Sequence, residues 1–347
     1  MPMLSRLSAA LLGIALVLCI PLAGCNKPPA PPANAGPKIG LVTDSNGLGD
    51  KSFNDEAYAA LQDAERRLHI QLDVLESRSS ADYFSNLTLM ATKDTDLTIA
   101  IGFDMAKDVA AVGRRWPKRS FAIIDAIVNI PNVTSVTFRE QDGAFLAGSL
   151  AAMVTKTRTI AFLGGVDTPQ LRRVEAGFTA GARQVDPAVK VLVSYVGSNY
   201  DFDGGKRSAQ DLFTKHADIV FIAAGKAGLG AFEEVKSHKT DYVIGTETDQ
   251  DALAPGRVLT SMVKRIDIGI FRLCEDTISQ KPLSGQLDLG LAEGAIGLSD
   301  TAVTRKALSD RDRTVLGSID RAIVDGTIAV PTSRKELSTF KPAALGV

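Results

Sequence analysis

The sequence predicts an α/β protein made of two doubly wound parallel-sheet lobes joined by a hinge. Three observations predict it. Short apolar, β-branched runs recur about 121 residues apart: Ile39-Gly-Leu-Val42 with Ile160-Ala-Phe-Leu163, Leu97-Thr-Ile-Ala-Ile101 with Ile219-Val-Phe-Ile-Ala223, and Phe121-Ala-Ile-Ile124 with Tyr242-Val-Ile-Gly245. Helix-like sequence separates the runs, the signature of βα units in a parallel sheet. The chain has 347 residues, beyond the size at which one hydrophobic core keeps growing. In open α/β sheets ligands sit beyond the carboxyl ends of the strands. Those ends read Thr43-Asp44, Gly102-Phe-Asp104 and Asp125 in the first half, and Gly164-Gly165, Gly225-Lys226 and Thr246-Glu247 in the second. Polar residues and glycines therefore gather where two lobes would close on something small.

In chain order, residues 1–25 read as a lipoprotein signal peptide. Arg6 supplies charge, an apolar stretch runs from Ala9 to Leu22, and Leu22-Ala-Gly-Cys25 follows. The stretch is shorter than the roughly 20 apolar residues of a membrane span. A small-residue site ending in cysteine is similar to the bacterial lipobox, which makes Cys25 a lipidated first residue; an ordinary signal peptide cut nearby is the alternative. Residues 26–37 are proline-rich, extended and unable to build a core, hence a tether. The first lobe is expected over 38–137 plus about 262–287, and the second over 138–261 plus about 288–337. Asn129-Ile-Pro-Asn-Val133 reads as the loop before one crossing. Met262, Val263, Ile266, Ile270, Leu273 and Ile278 read as an amphipathic helix returning to the first lobe. Asp55 to Arg67 and Gln170 to Val185 are helices packing one face. Phe145 to Met153 is apolar nearly all round and should be deeply buried, with Gly148 allowing close approach.

Composition narrows the function classes. Apolar content of 45% and charged content of 23% are ordinary for a globular protein, and a net charge of −1 gives no basic face for nucleic acid. Cys19, Cys25 and Cys274 cannot form a disulfide framework. Cys274 is expected to be a buried, small apolar residue. The three histidines, His69, His216 and His238, lie at helix-to-strand turns, and no Cys/His cluster has zinc spacing. No G-x-S-x-G elbow or Walker sequence occurs. No cofactor, metal or enzymatic activity is expected.

Two loops stand out. Gly225-Lys-Ala-Gly-Leu-Gly230 follows a strand and precedes a helix, so Gly225 and Lys226 either present amides and charge to a ligand or form a tight packing turn. Val42 to Asn54 joins a strand to a helix through a loop with two glycines. Phe53 at its end offers a stacking face beside Asp44 and Asn54, a combination suited to a heteroaromatic ring with N–H edges. Its other reading is a staple for the helix start.

Thr43-Asp44 with Asp50-Lys-Ser-Phe-Asn54, Gly102-Phe103, Phe121-Ala-Ile-Ile-Asp125, Phe145 to Ala152, Gly164-Gly165, Gly177-Phe-Thr-Ala-Gly181, Ala223-Ala-Gly225, Asp249-Gln250 and Pro255 to Lys264 occur in order over roughly residues 38–337. Together they resemble the basic membrane protein family, the substrate-binding lipoproteins of ABC importers that include purine-nucleoside receptors. The resemblance implies a type I periplasmic-binding-protein fold. It implies that Phe53 stacks on a base, that Asp44 bonds its edge with Asn54 beside it, and that Asp125 and Lys264 face the ligand. Where the family pattern has Gly-Val-Asp, this chain has Ile244-Gly-Thr-Glu247, so Glu247 stands for the acid that holds ribose hydroxyls. Tyr200 is the candidate second aromatic, by position in the Gly197 to Asp201 turn, and Asp104 is an extra acid near the cleft.

The expectation is a monomeric, membrane-anchored receptor that binds a nucleoside, with purine favoured, and delivers it to an ABC permease. Rival readings are a same-fold receptor for a free nucleobase, sugar or autoinducer, an enzyme built on Asp104 and Asp125, and a surface adhesin or signalling partner.

Overall fold

The computed structural model describes residues 36–49 and 53–345. The leader, Cys25 and the tether through residue 35 lie outside the described residues, as do Asp50, Lys51 and Ser52. The first lobe is laid down as β1 (Lys38–Val42), α1 (Phe53–Leu68), β2 (Gln71–Leu75), α2 (Tyr83–Thr92), β3 (Leu97–Ile101), α3 (Ala106–Arg115), β4 (Ser120–Ile124) and β5 (Val133–Phe138). The second repeats the plan as α4 (Glu140–Val154), β6 (Thr159–Gly164), α5 (Pro169–Val185), β7 (Lys190–Tyr195), α6 (Phe202–Thr214), β8 (Ile219–Ala223), α7 (Gly228–Val235), β9 (Tyr242–Glu247) and β10 (Val258–Lys264). The C-terminal stretch adds α8 (Ile266–Ile278), β11 (Gly285–Leu289), β12 (Ile296–Leu298), α9 (Ala302–Ala307), α10 (Asp310–Val324) and α11 (Arg334–Thr339).

The two sheets have the same topology. One runs β11-β5-β4-β3-β1-β2 and the other β12-β10-β9-β8-β6-β7. Each strand of the inner five is parallel to its neighbours, and the order reverses between β1 and β3 and between β6 and β8. These are the switch points at which open sheets leave a crevice. The central strands β3 and β8 are buried at every residue, as helices on both faces require. The sixth strands differ: β11 joins β5 in parallel, whereas β12 joins β10 antiparallel.

The chain passes between the sheets at Arg139, at Arg265 and between Leu289 and Ile296. The third passage ties the other two together, because Arg139 N–H donates to Leu289 O and Arg265 N–H donates to Ala295 O, each at 2.7 Å. The return helix starts at Ile266, later than the apolar pattern indicated. Met262 and Val263 belong to β10, where an apolar strand continues directly into an apolar helix and periodicity blurs the junction. Likewise Asp288 and Leu289 pair in the first sheet, so the tail leaves for the second sheet only after Leu289.

Arg139 laces the first passage to the third. Its Nε donates to Asp142 Oδ2 (3.2 Å), Nη1 to Asp288 O (3.0 Å) and Nη2 to Glu293 Oε2 (3.1 Å). Burial pushes the Asp142 carboxyl up to about 6, with Arg139 only partly opposing. A carboxyl raised in the folded state holds its proton more tightly there than in the unfolded chain. Its contribution to stability therefore falls as pH rises from about 4 to about 6. Asp142→Asn removes that loss, so the stability of the variant relative to wild type should rise by about 1–3 kcal/mol between pH 4 and pH 7. Urea melts at the two pH values measure it, and a pH-independent difference would contradict the assignment.

Helix α4 is buried on nearly every side. One face packs Ala144, Ala147, Leu150 and Ala151 with Phe162, Phe178 and Phe221 of the second lobe. The opposite face packs Phe145 and Leu146 against Ile319, Ala322 and Ile328 of the C-terminal stretch. Burying each large side chain contributes about 1.5–3 kcal/mol. The α4–α5 contact is backbone-close: a Cβ on Gly148 would lie 1.9 Å from Phe178 O, and one on Gly181 would lie 1.9 Å from Phe145 O. Cys274 is buried on α8, and burial pushes its thiol up to about 12, which keeps it protonated and inert.

Candidate functional site

The first lobe presents its strand ends as a prepared acceptor. Asp44 follows β1, and its carboxylate accepts from Asn54 Nδ2 (2.7 Å), Asn46 N–H (2.8 Å) and Asn46 Nδ2 (3.0 Å). Asp44 N–H in turn donates to Asn54 Oδ1 at 3.1 Å. Asn54 is fully buried, so it orients Asp44 from behind. A carboxylate offers about four acceptor positions, which leaves Asp44 capacity for a further donor. Gly102, in the left-handed region at φ 110°, brings the end of β3 alongside; a Cβ there would meet Asp44 Cβ at 3.6 Å.

Phe53 opens α1 and is partly buried against the first-lobe core. The Lys264 ammonium lies 5.1 Å from its ring centroid and 5.7 Å from that of Phe138, within cation–π range. Phe53 thus packs on the core while the Lys264 ammonium lies over its ring.

That cluster centres on Lys264, the last residue of β10. Its Nζ is 2.9 Å from Asp125 Oδ2, from Glu140 Oε1 and from Glu247 Oε2. Asp125 comes from the end of β4 in the first lobe, Glu140 from the start of α4, and Glu247 from the end of β9. Side-chain exposure falls from 41% at Glu247 through 10% at Asp125 to 4% at Glu140 and 3% at Lys264. Glu140 is therefore too deep to meet solvent, and Glu247 is the open side of the cluster. Asp125 and Glu247 both adopt left-handed backbone, at φ 67° and 70°. Such strain in non-glycine residues costs about 1–3 kcal/mol each and collects at functional sites.

Electrostatics shift the groups of the cluster in different directions, and burial raises Glu247 against the pull of Lys264. Burial alone would pull Lys264 down, but its carboxylate neighbours overcome it and hold its pKa well above that of a free lysine. Burial pushes Glu140 up, yet Lys264 and a hydrogen bond from Gln170 Nε2 (3.0 Å) bring it below its ordinary value. At Asp125 burial wins over Lys264, and the nearby Glu140 charge adds to it, so its pKa is raised. The ammonium donates to Asp125 and Glu140 and is ion-paired with Glu247. The cluster consequently offers carboxylate acceptors outward.

The other predicted residues fall on the second lobe or the rim. Gly225, with φ 55°, and Lys226 are exposed beyond β8, and Lys226 Nζ lies 6.0 Å from the Tyr200 ring centroid. Gly230 of the same motif is a packing position: a Cβ there would lie 2.0 Å from Phe202 O. Tyr200 is 68% exposed, and Phe103, after β3, is 60% exposed. Asp104 is exposed, while the largely covered Asp125 turns one carboxylate oxygen to Lys264, so the structure does not join the two as an acid pair. A cavity of about 430 Å³ adjoins the open side of the cluster, lined by Glu247, Lys264, Asp249, Arg265, Asp63 and Phe271. Among the described residues no three His, Cys, Asp or Glu side chains are arranged to hold a metal ion. His238 sits between Asp241 (2.6 Å) and Glu234 (3.4 Å), its ring tilted against Phe213 at 4.4 Å between centroids.

Sequence reasoning missed Glu140 and Gln170. A signal was available: Glu140 stands five residues before a stretch apolar nearly all round, where a carboxylate demands a partner.

With this geometry in view, a comparison with known proteins decides the family. The family model of ABC transporter substrate-binding proteins, PnrA-like (Bmp), matches residues 38–334. The chain belongs to this family. Among its relatives, the CD4+ T-cell-stimulating antigen of Listeria innocua is 33% identical over 84% of this chain and 87% of its own length. The ABC transporter nucleoside-binding protein BmpA of Lactococcus lactis is 31% identical over 93% of this chain and 98% of its own. Basic membrane protein A of Borreliella afzelii is 31% identical over 88% and 94%. A solute-binding protein of an ABC transporter system from Aeropyrum pernix superposes with a TM-score of 0.75 at 24% identity, over 87% of this chain and 96% of that one. The two-sheet architecture of this Bmp-family chain is thus the periplasmic-binding-protein fold. Among the described residues no helix is long and apolar enough to cross a membrane.

Proposed function

We propose that this Bmp-family protein is a nucleoside receptor, purine being the favoured base, that closes its lobes over the ligand and hands it to an ABC permease. The observation that carries the reading is the pairing of an aromatic face and an acid, Phe53 and Asp44, with the acceptor-rich cluster around Lys264. A base has N–H edges and two π faces; a sugar has hydroxyl donors. Asp44 serves the first need, Phe53 the stacking, and Asp125 and Glu247 the hydroxyls, through charge-assisted hydrogen bonds. The name of the Lactococcus lactis relative, a nucleoside-binding protein, supports it. The three passages between the sheets form a hinge, and binding shifts the open–closed population. We assign no catalytic step, and the protein acts as a monomer outside the cytoplasm, held by a lipid on Cys25.

Calorimetry with a nucleoside panel tests the ligand class; absence of heat with every nucleoside and nucleobase would refute it. Phe53→Ala should weaken nucleoside binding by about 1–3 kcal/mol through lost stacking. Unchanged affinity would instead make Phe53 a staple of α1. A second reading, a same-fold receptor for a free nucleobase, sugar or autoinducer, is favoured by Glu247, one carbon longer than aspartate at the hydroxyl-binding end, and by the lack of a clear match for a second stacking aromatic.

A further inference from the structure

Helix α5 carries a cation that none of the bonds described so far employs. Along α5, Gln170 donates to Glu140 of α4, and Gly177 meets the same helix so closely that a Cβ there would lie 2.2 Å from Gln141 O. Residues three and four apart share a helix face, so Arg173 stands between these two contacts, on the stripe facing the start of α4. Its charge reaches both Glu140 and, on the other lobe, Asp125. Yet its Nε is buried with no hydrogen-bond partner among the described residues. Its neighbours are partnered: Arg172 binds Asp167, and Glu175 binds Arg334 and Tyr195.

A buried donor left unpaired is costly, and such a group calls for an explanation. The chemistry of the cleft supplies one. Lys264 is held by Asp125, Glu140 and Glu247, each 2.9 Å from its Nζ, and ionised carboxylates only accept. A ligand carrying acceptors as well as donors would find in the arginine a donor that no carboxylate of this cluster holds. We propose that Arg173 is a further ligand-contact residue, donating from its guanidinium to an acceptor oxygen of the bound molecule. Naming that oxygen as one of the sugar rests on the nucleoside reading; the contact itself does not. Gln141 Oε1 is also buried and unpartnered at this junction, so a purely structural Arg173–Gln141 bond is the competing account.

Three variants decide between them: Arg173→Lys, which keeps the charge but not the planar fork of donors, Arg173→Met, and Gln141→Leu. Calorimetry uses adenosine, guanosine and inosine with their 2′-, 3′- and 5′-deoxy analogues, and thermal melts use the ligand-free proteins. Both arginine variants should lose about tenfold or more in nucleoside affinity without a lower ligand-free Tm, while Gln141→Leu binds as wild type. One deoxy analogue, penalised by wild type, should lose its penalty in both arginine variants. Wild-type affinity in both arginine variants would overturn the proposal. So would a lowered ligand-free Tm shared with Gln141→Leu. If wild type ignores nucleosides but binds a sugar or free base, the nucleoside reading falls. Arg173 is then judged on that ligand: a tenfold loss upholds the contact and an unchanged affinity removes it.

Discussion

Replacing Lys264 with methionine is expected to cost about 3–5 kcal/mol of folding stability at neutral pH, the usual result of removing one partner from a buried ion cluster. The loss arises because Asp125 and Glu140 keep their low exposure while the ammonium 2.9 Å from each disappears. The pH dependence gives the prediction its sign. In wild type the raised pKa of Lys264 makes its stabilisation fully present below about 10.5 and lost only as alkaline pH passes its folded value. Glu140, lowered in the folded state, contributes above its ordinary value near 4.5 and loses that contribution as pH falls through the folded one. Without the ammonium both buried carboxyls rise, and the variant weakens as pH increases. Denaturation of both proteins at pH 5 and pH 8 should show a wider gap at pH 8. A gap of equal size at the two would mean that the carboxylates find another counter-charge.

Gly181→Ala is expected to destabilise at the upper end of the roughly 1–3 kcal/mol typical of overpacking. The added methyl would lie 1.9 Å from Phe145 O, 2.6 Å from its carbonyl carbon and 2.8 Å from its Cα. All three are backbone atoms of a buried helix, so no side chain can swing aside. Relief requires α4 and α5 to separate, which also stretches the bond from Ser149 Oγ to Gly181 O (3.0 Å). Because α4 begins with Glu140 and α5 carries Gln170, the separation propagates to the Lys264 cluster, and ligand affinity should fall together with stability. Gly317→Ala on α10, with nothing within 4 Å of its added methyl, is the control and should be neutral or stabilising through helix propensity. A Gly181→Ala midpoint in urea equal to that of wild type would show that the helices accommodate the methyl.

Much of the scaffold is visible in the chain because hydrophobic periodicity is local. The runs at Ile39, Leu97 and Phe121 and their echoes at Ile160, Ile219 and Tyr242 are strands β1, β3, β4, β6, β8 and β9, each within a residue or two. The burial of Phe145 to Ala151 was equally legible, since a helix apolar on all faces must be covered on all faces, while Ala152 and Met153 are only partly covered. Strand β11 was not. Gly285-Gln-Leu-Asp-Leu289 is a polar edge strand whose membership is decided by its pairing with β5. Short edge strands carry little apolar signal of their own.

The carboxylate cluster shows the same division more sharply. Asp44, Asp125, Glu247 and Lys264 are each readable as polar residues at strand ends. That Lys264 is held by three carboxylates is a property of residues as far as 139 positions apart. The sequence marks Glu140 only as a carboxylate in need of a partner and Asn54 as a polar residue beside Asp44; packing places one beneath Lys264 and the other behind Asp44.

The sequence by itself determined two repeated parallel sheets, the ends of their strands and the family they belong to, because each of these is encoded in short-range pattern and residue order. Only the tertiary structure decided which charges meet, which donors are already occupied and which are left over. Those outcomes depend on distances between lobes and on burial, and Coulomb interactions grow strong only after folding has removed the water between the partners.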